Sequence, residues 1–171
     1  MTRTELEHVI RAAGAIAETD ELIIIGSQAI LGTCLDPPEE LVASIEVDLY
    51  PLPDVEKADL IDGSIGEESP FHDTFGYYAH GVGPETAVLP RNWRNRFVVI
   101  SSSNTRGVKA YCLHPIDIAA SKLAAGRQRD IEYVRILKKK KLIDLKETKA
   151  VLQSELPKEL ATGLTALLDS L

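Results

Sequence analysis

The chain has 171 residues, 44% hydrophobic and 26% charged, the balance of a globular protein large enough for one real core. Its net charge of −7 gives no global field favouring nucleic acid or an anionic membrane, so any polyanion contact needs a local basic patch. Cys34 and Cys112 form neither a CxxC pair nor a dense framework, and MTRTELEHVIRAAG is neither a leader nor a span; the expectation is a reduced, cytoplasmic protein with no membrane segment.

Residues 4–18 read as a helix, with Leu6, Val9, Ile10 and Ala13 near one face and Thr4 as a candidate cap. The apolar run 22–25 ends at Gly26 and reads as a buried strand. Ser27 opens a short helix, QAILGTCL, and Pro37-Pro38 make 35–40 a turn. Residues 44–50 read as a strand, and 54–61 as a helix with Asp54 as a possible cap. The stretch 62–96 is rich in Gly, Pro, His and aromatics; at least one strand is expected there, near 77–82. Residues 97–101 and 109–113 read as strands of a hairpin closed through SSNTRG.

From His114 the character changes. HPIDIAASKLAAG places Pro115 just inside a helix start and Gly126 at its end. RDIEYVRILKKKKL reads as a second helix, and two more follow, separated at Pro157. The expected class is α/β (α+β): a core over 1–113, with a helical segment over 114–171 packed on it in one compact domain.

One stretch carries chemistry. In EVDLY, Glu46 and Asp48 are two apart on a predicted strand, so both carboxylates share a face about 6.6 Å apart along it. Two carboxylates that close repel, more so when buried, and a cation relieves them. Oxygen ligands in this number suit Mg²⁺, which takes one or two carboxylates plus phosphate oxygens and water. Gly26-Ser27, at a strand-to-helix junction, offers backbone N–H groups and a hydroxyl to a phosphate tail.

A glycine-serine pair after a strand, followed by alternating carboxylates on the next, resembles the polymerase-β-like nucleotidyltransferase superfamily. HPIDIAASKLAAGRQRDIEYV resembles the tail motif of its abortive-infection and toxin–antitoxin members, and SPFHDTFGYYAHGVGPETAVLPRNW resembles a small bacterial branch of that group. The resemblance covers about residues 20–140. It implies a nucleotidyltransferase-like mixed sheet flanked by helices and Mg²⁺-dependent transfer of a nucleoside monophosphate from a nucleoside triphosphate. Gly26 and Ser27 would hold the triphosphate and Glu46 and Asp48 the metal. Lys122 would contact phosphate, Arg127 and Asp130 would complete the pocket, and Asp130 would position or activate the acceptor. The acceptor would be a transfer RNA, a protein or a small molecule, and a cognate antitoxin would accompany a toxin-type enzyme. Four features depart from the family pattern. Eighteen residues separate Ser27 from Glu46, the first carboxylate is Glu, and no third carboxylate stands on 97–101 or 109–113. Tyr133 also occupies the place of a second tail aspartate. These departures keep open an alternative: a catalytically reduced nucleotide-binding or protein-interaction module.

Other features have plainer readings. Lys138–Lys141 reads as a solvated helix end, Trp93 as a core residue among exposed arginines, and both cysteines as inert core residues. His72, Asp73 and His80 lack the tight spacing of a zinc site, and the histidines read instead as loop residues near the cleft.

Overall fold

The structure, a computed structural model, describes all 171 residues. Helix α1 (Arg3–Ala17) starts at a capping box in which Thr2, not Thr4, accepts from the Glu5 N–H while the Glu5 side chain accepts from the Thr2 N–H. Strand β1 (Glu21–Ile24) follows, then a 3₁₀ turn at Ser27–Ala29 and the short helix α2 (Ile30–Thr33). Strand β2 runs Glu46–Leu52, two residues later than expected. It carries Pro51 without cost to the sheet: β3 pairs only with Glu46–Leu49, so one edge of β2 is open at the proline.

Helix α3 (Ala58–Ile65) begins after a 3₁₀ turn, and Asp54 makes no side-chain capping bond. Helix α4 (Pro70–Phe75) is absent from the sequence reading. Ser69 caps it, Pro70 opens it and Gly76, at φ 76°, ends it; six residues are too few for apolar periodicity to register. Strands β3 (Tyr78–Gly81), β4 (Val98–Ile100) and β5 (Lys109–Cys112) complete the sheet. Helices α5 (Pro115–Ala125), α6 (Gln128–Lys139), α7 (Leu145–Glu155) and α8 (Lys158–Ser170) form the tail.

The sheet order is β3-β2-β1-β5-β4. The β1–β2 and β4–β5 pairs are antiparallel, whereas β1–β5 and β2–β3 are parallel. This is the expected mixed sheet, and β4–β5 is the expected hairpin. Leu22, Ile23 and Ile24 on the central strand have no exposed surface, so both faces of the sheet are covered. Helices α1 and α3 pack on each other and on β2 and β3; α2 lies on β4 and β5 and leads to α5. One hydrophobic cluster runs from Leu6 through the sheet to Leu168, so both halves of the chain share a core.

Arg96 corrects the reading of exposed arginines around Trp93. It is largely buried, with both faces of its guanidinium fork committed to Asp117 on α5 and Glu155 on α7. Trp93 packs edge-on against Phe97 at 4.9 Å, with Arg94 over its ring. Cys112 is a core residue whose thiol burial pushes up to about 12, whereas Cys34 is half-buried. No helix is long and apolar enough to cross a membrane.

Candidate active site

The site forms where the end of β1, the face of β2 and the α5–α6 junction meet. Gly26, Ser27, Glu46, Asp48, Lys122, Arg127 and Asp130 all line one open cleft of about 330 Å³. Residues a hundred positions apart in the chain thus share one space.

Each carboxylate of β2 is held by the residue opposite it on β3. Tyr78 pairs with Glu46 in the parallel register, and its hydroxyl donates to Glu46 Oε2 at 3.2 Å. His80 pairs with Asp48, and its Nδ1 lies 2.9 Å from Asp48 Oδ1. Desolvation raises the Asp48 carboxyl above its ordinary range; His80 opposes that shift and Glu46 reinforces it. Burial, with Glu46 next, pushes the Tyr78 hydroxyl to about 12, so it stays a donor at neutral pH.

Gly26 sits at φ 70°, ψ −161°, a region open to glycine alone. A Cβ there would lie 2.3 Å from Asp48 Oδ2. The glycine therefore lets the turn form and lets the carboxylate lie against it. Gly26→Ala is expected to lose about 1–3 kcal/mol of stability in urea titrations. A Gly26→Ala protein as stable as the wild type would contradict this geometry.

The other wall is cationic. Gly126, at φ 67°, turns α5 into α6, and Arg127 stands at the cap position of α6. Asp130, almost wholly buried, accepts from Lys122 Nζ at 3.0 Å and from Arg127 Nε at 2.5 Å. Burial alone would raise its carboxyl, but these two partners outweigh burial and hold it below the usual range. Lys122 Nζ also lies 4.3 Å from the centre of the Tyr133 ring. The Tyr133 hydroxyl donates to the Ser27 carbonyl at 2.9 Å, tying α6 to the glycine-serine turn. Gln28, buried behind that turn, donates to the Ser44 carbonyl at 2.8 Å.

Tyr78 and the link through Tyr133 escaped the sequence reading, and His80, expected as a loop histidine near the cleft, stands instead on β3 against Asp48. The alternation of Tyr78 and His80 mirrors that of Glu46 and Asp48, a legible signal once β3 is set beside β2. His72 lies on α4 with its ring 4.7 Å from Tyr78, and no group of three or more His, Cys, Asp or Glu side chains converges to hold a metal by itself. The half-buried pair Glu46 and Asp48 is the donor set available. Two carboxylates sharing one face, with the remaining positions left to phosphate and water, fit Mg²⁺.

No curated protein and no solved structure matches the chain. A family model described as nucleotidyltransferase of unknown function (DUF6036) matches residues 4–161, and the chain belongs to that family.

Proposed function

We propose that this cleft binds a nucleoside triphosphate with Mg²⁺ and transfers the nucleoside monophosphate to an acceptor hydroxyl or phosphate. The observation that carries the reading is the meeting of a glycine-serine turn, two adjacent carboxylates and two cationic side chains in one cleft. Each supplies something a triphosphate needs: backbone donors, metal ligands and charge neutralisation.

Glu46 and Asp48 would hold Mg²⁺, which when bound neutralises charge on the triphosphate. Ser27 and the turn would position the phosphate tail. Lys122 and Arg127 would bear on its oxygens, held in place by Asp130, which serves as a positioning residue because both of its oxygens are occupied. In the transfer, an acceptor oxygen bonds to the α-phosphorus and the α–β phosphoanhydride bond breaks. Pyrophosphate leaves and the acceptor's proton passes to solvent. Tyr78 and His80 would orient the two carboxylates throughout.

A second reading keeps the binding and drops the transfer. The residue beside Asp48 on β3 is His80, not a third carboxylate, and no three His, Cys, Asp or Glu side chains converge to hold a metal ion. This favours a nucleotide-binding module as the alternative.

Calorimetry with ATP, GTP, CTP and UTP, each with and without Mg²⁺, tests the first step. Binding of at least one nucleotide that strengthens tenfold or more with Mg²⁺ is the expected result. A folded protein that binds none of the four contradicts the reading. Release of pyrophosphate with a labelled acceptor then separates enzyme from binding module.

A further inference from the structure

We propose that the outer groove of α6 receives the phosphodiester backbone of a nucleic-acid acceptor and leads its end into the cleft. The inference rests on the nucleotidyl-transfer reading for the purpose of that strand. The binding of the strand itself is independent of it.

The segment 127–141 carries seven basic and two acidic side chains, net +5, in a chain of net −7. Charge is therefore strongly segregated onto one helix. Both acids in the segment are already paired: Asp130 with Lys122 and Arg127, Glu132 with Arg135. Arg129, Lys139 and Lys140 have no ion-pair partner, and all three line a second groove of about 460 Å³ along α6.

This groove is continuous with the cleft. The two share Glu40, Arg129 and Tyr133. The cationic track therefore opens where the triphosphate would sit. Helix α6 has 12 residues, about 18 Å, enough to follow several nucleotides of a stacked strand at about 3.4 Å each.

Helix electrostatics account for only part of the pattern. Lysines at the C-terminal end of α6 favour its negative pole. Arg129, without an acidic partner, sits at the opposite, positive pole, where a cation is unfavourable, whereas Arg127 there is offset by Asp130. An anion bound at that end relieves the conflict, and the free N–H groups of a helix start add to its hold. A protein that repels polyanions overall would then admit one along a single path, with its end at the cleft.

The test is fluorescence anisotropy with labelled 20-nucleotide single-stranded RNA and DNA, without nucleotide triphosphate, over a salt series. Wild type is expected to bind at low salt and weaken as salt rises. The variant Lys139→Gln/Lys140→Gln, which leaves every cleft residue intact, is expected to flatten the log–log salt slope by about 1.4, about 0.7 for each phosphate no longer neutralised. A control, Lys109→Gln/Lys158→Gln, changes net charge equally on surface lysines outside the groove and is expected to keep the wild-type slope. Preference between RNA and DNA identifies the source of the strand. No binding by wild type, or equal slopes for wild type and the groove variant, overturns the proposal. So does an equal flattening in variant and control. Binding of poly-glutamate through Lys139 and Lys140 with none of either oligonucleotide also overturns it, and gives the groove to an acidic protein. Oligonucleotide binding that depends on the groove, in a protein that binds no triphosphate, keeps the track and removes the transfer reading.

Discussion

Glu46→Gln/Asp48→Asn is expected to abolish magnesium-dependent nucleotide binding while leaving the protein at least as stable as the wild type. The two halves of this result have one cause. The carboxylates stand together on β2 in a partly desolvated cleft, so without a cation their charge opposes folding. The Asp48 carboxyl is raised by burial, and the folded state therefore keeps its proton to higher pH than the unfolded state does. Wild-type stability from this group is greatest at low pH. It falls as pH rises from the ordinary carboxylate value through the raised one, and it stays lower at neutral pH. Asparagine has no such fall. Any transfer activity should drop by at least about 10²–10³-fold, the scale of removing one preorganised electrostatic contact in an active site. Calorimetry with the bound nucleotide and urea titrations at pH 5 and 8 check both halves. A double variant that binds with unchanged magnesium dependence removes the metal role. One that is several kcal/mol less stable makes the pair a structural element instead.

Arg96→Met is expected to cost about 3–5 kcal/mol at pH 7, the range for breaking a buried ion pair from one side. Asp117 has no exposed surface and receives Arg96 Nε at 3.0 Å and Nη2 at 2.7 Å. Glu155 receives Nη1 at 2.8 Å and Nη2 at 2.9 Å. Asn92 N–H also donates to Glu155, so the 91–96 segment, α5 and α7 meet at one guanidinium. Without Arg96 an ionised Asp117 is left in the core. Burial already raises its carboxyl despite Arg96, and losing the arginine raises it further. Protonation then removes the unpaired charge, so the variant's deficit should narrow between pH 7 and pH 5. The wild type behaves oppositely at Glu155, whose carboxyl Arg96 holds below its usual range. That contribution is present above the ordinary carboxylate value and is lost as pH falls through the lowered one. Arg96→Lys keeps the charge without the fork, so an intermediate loss is expected and the series stays informative if the methionine variant does not fold. Thermal melts across pH settle the matter; a deficit below about 1 kcal/mol, or one that ignores pH, contradicts the account.

The sheet was legible because its strands carry strong local signals. Ile23 to Ile25 are an unbroken apolar run, EVDLY alternates, and Pro115 with Gly126 brackets α5. The candidate site was legible for the same reason: each of its pieces is a short motif. What the sequence hid is pairing. Nothing local states that β2 lies parallel to β3, so Tyr78 and His80 could not be set against Glu46 and Asp48. Arg96 read as an exposed arginine because its partners lie 21 and 59 residues away. Thr2 outcompeted Thr4 as the cap because Glu5 lies three residues after it, which closes the capping box. Helix α4 is too short for periodicity, although Ser69-Pro70 and Gly76 mark its two ends.

The bond from Tyr133 to the Ser27 carbonyl spans 106 residues of chain. On a ribosome adding about 5–20 residues per second, the glycine-serine turn emerges about 5–20 s before the side chain that braces it. For most of that interval the nascent chain has Glu46 and Asp48 but no Lys122, Arg127 or Asp130 to face them. A copy that stops short of α6 therefore lacks both the cationic wall and the brace, and cannot assemble the cleft.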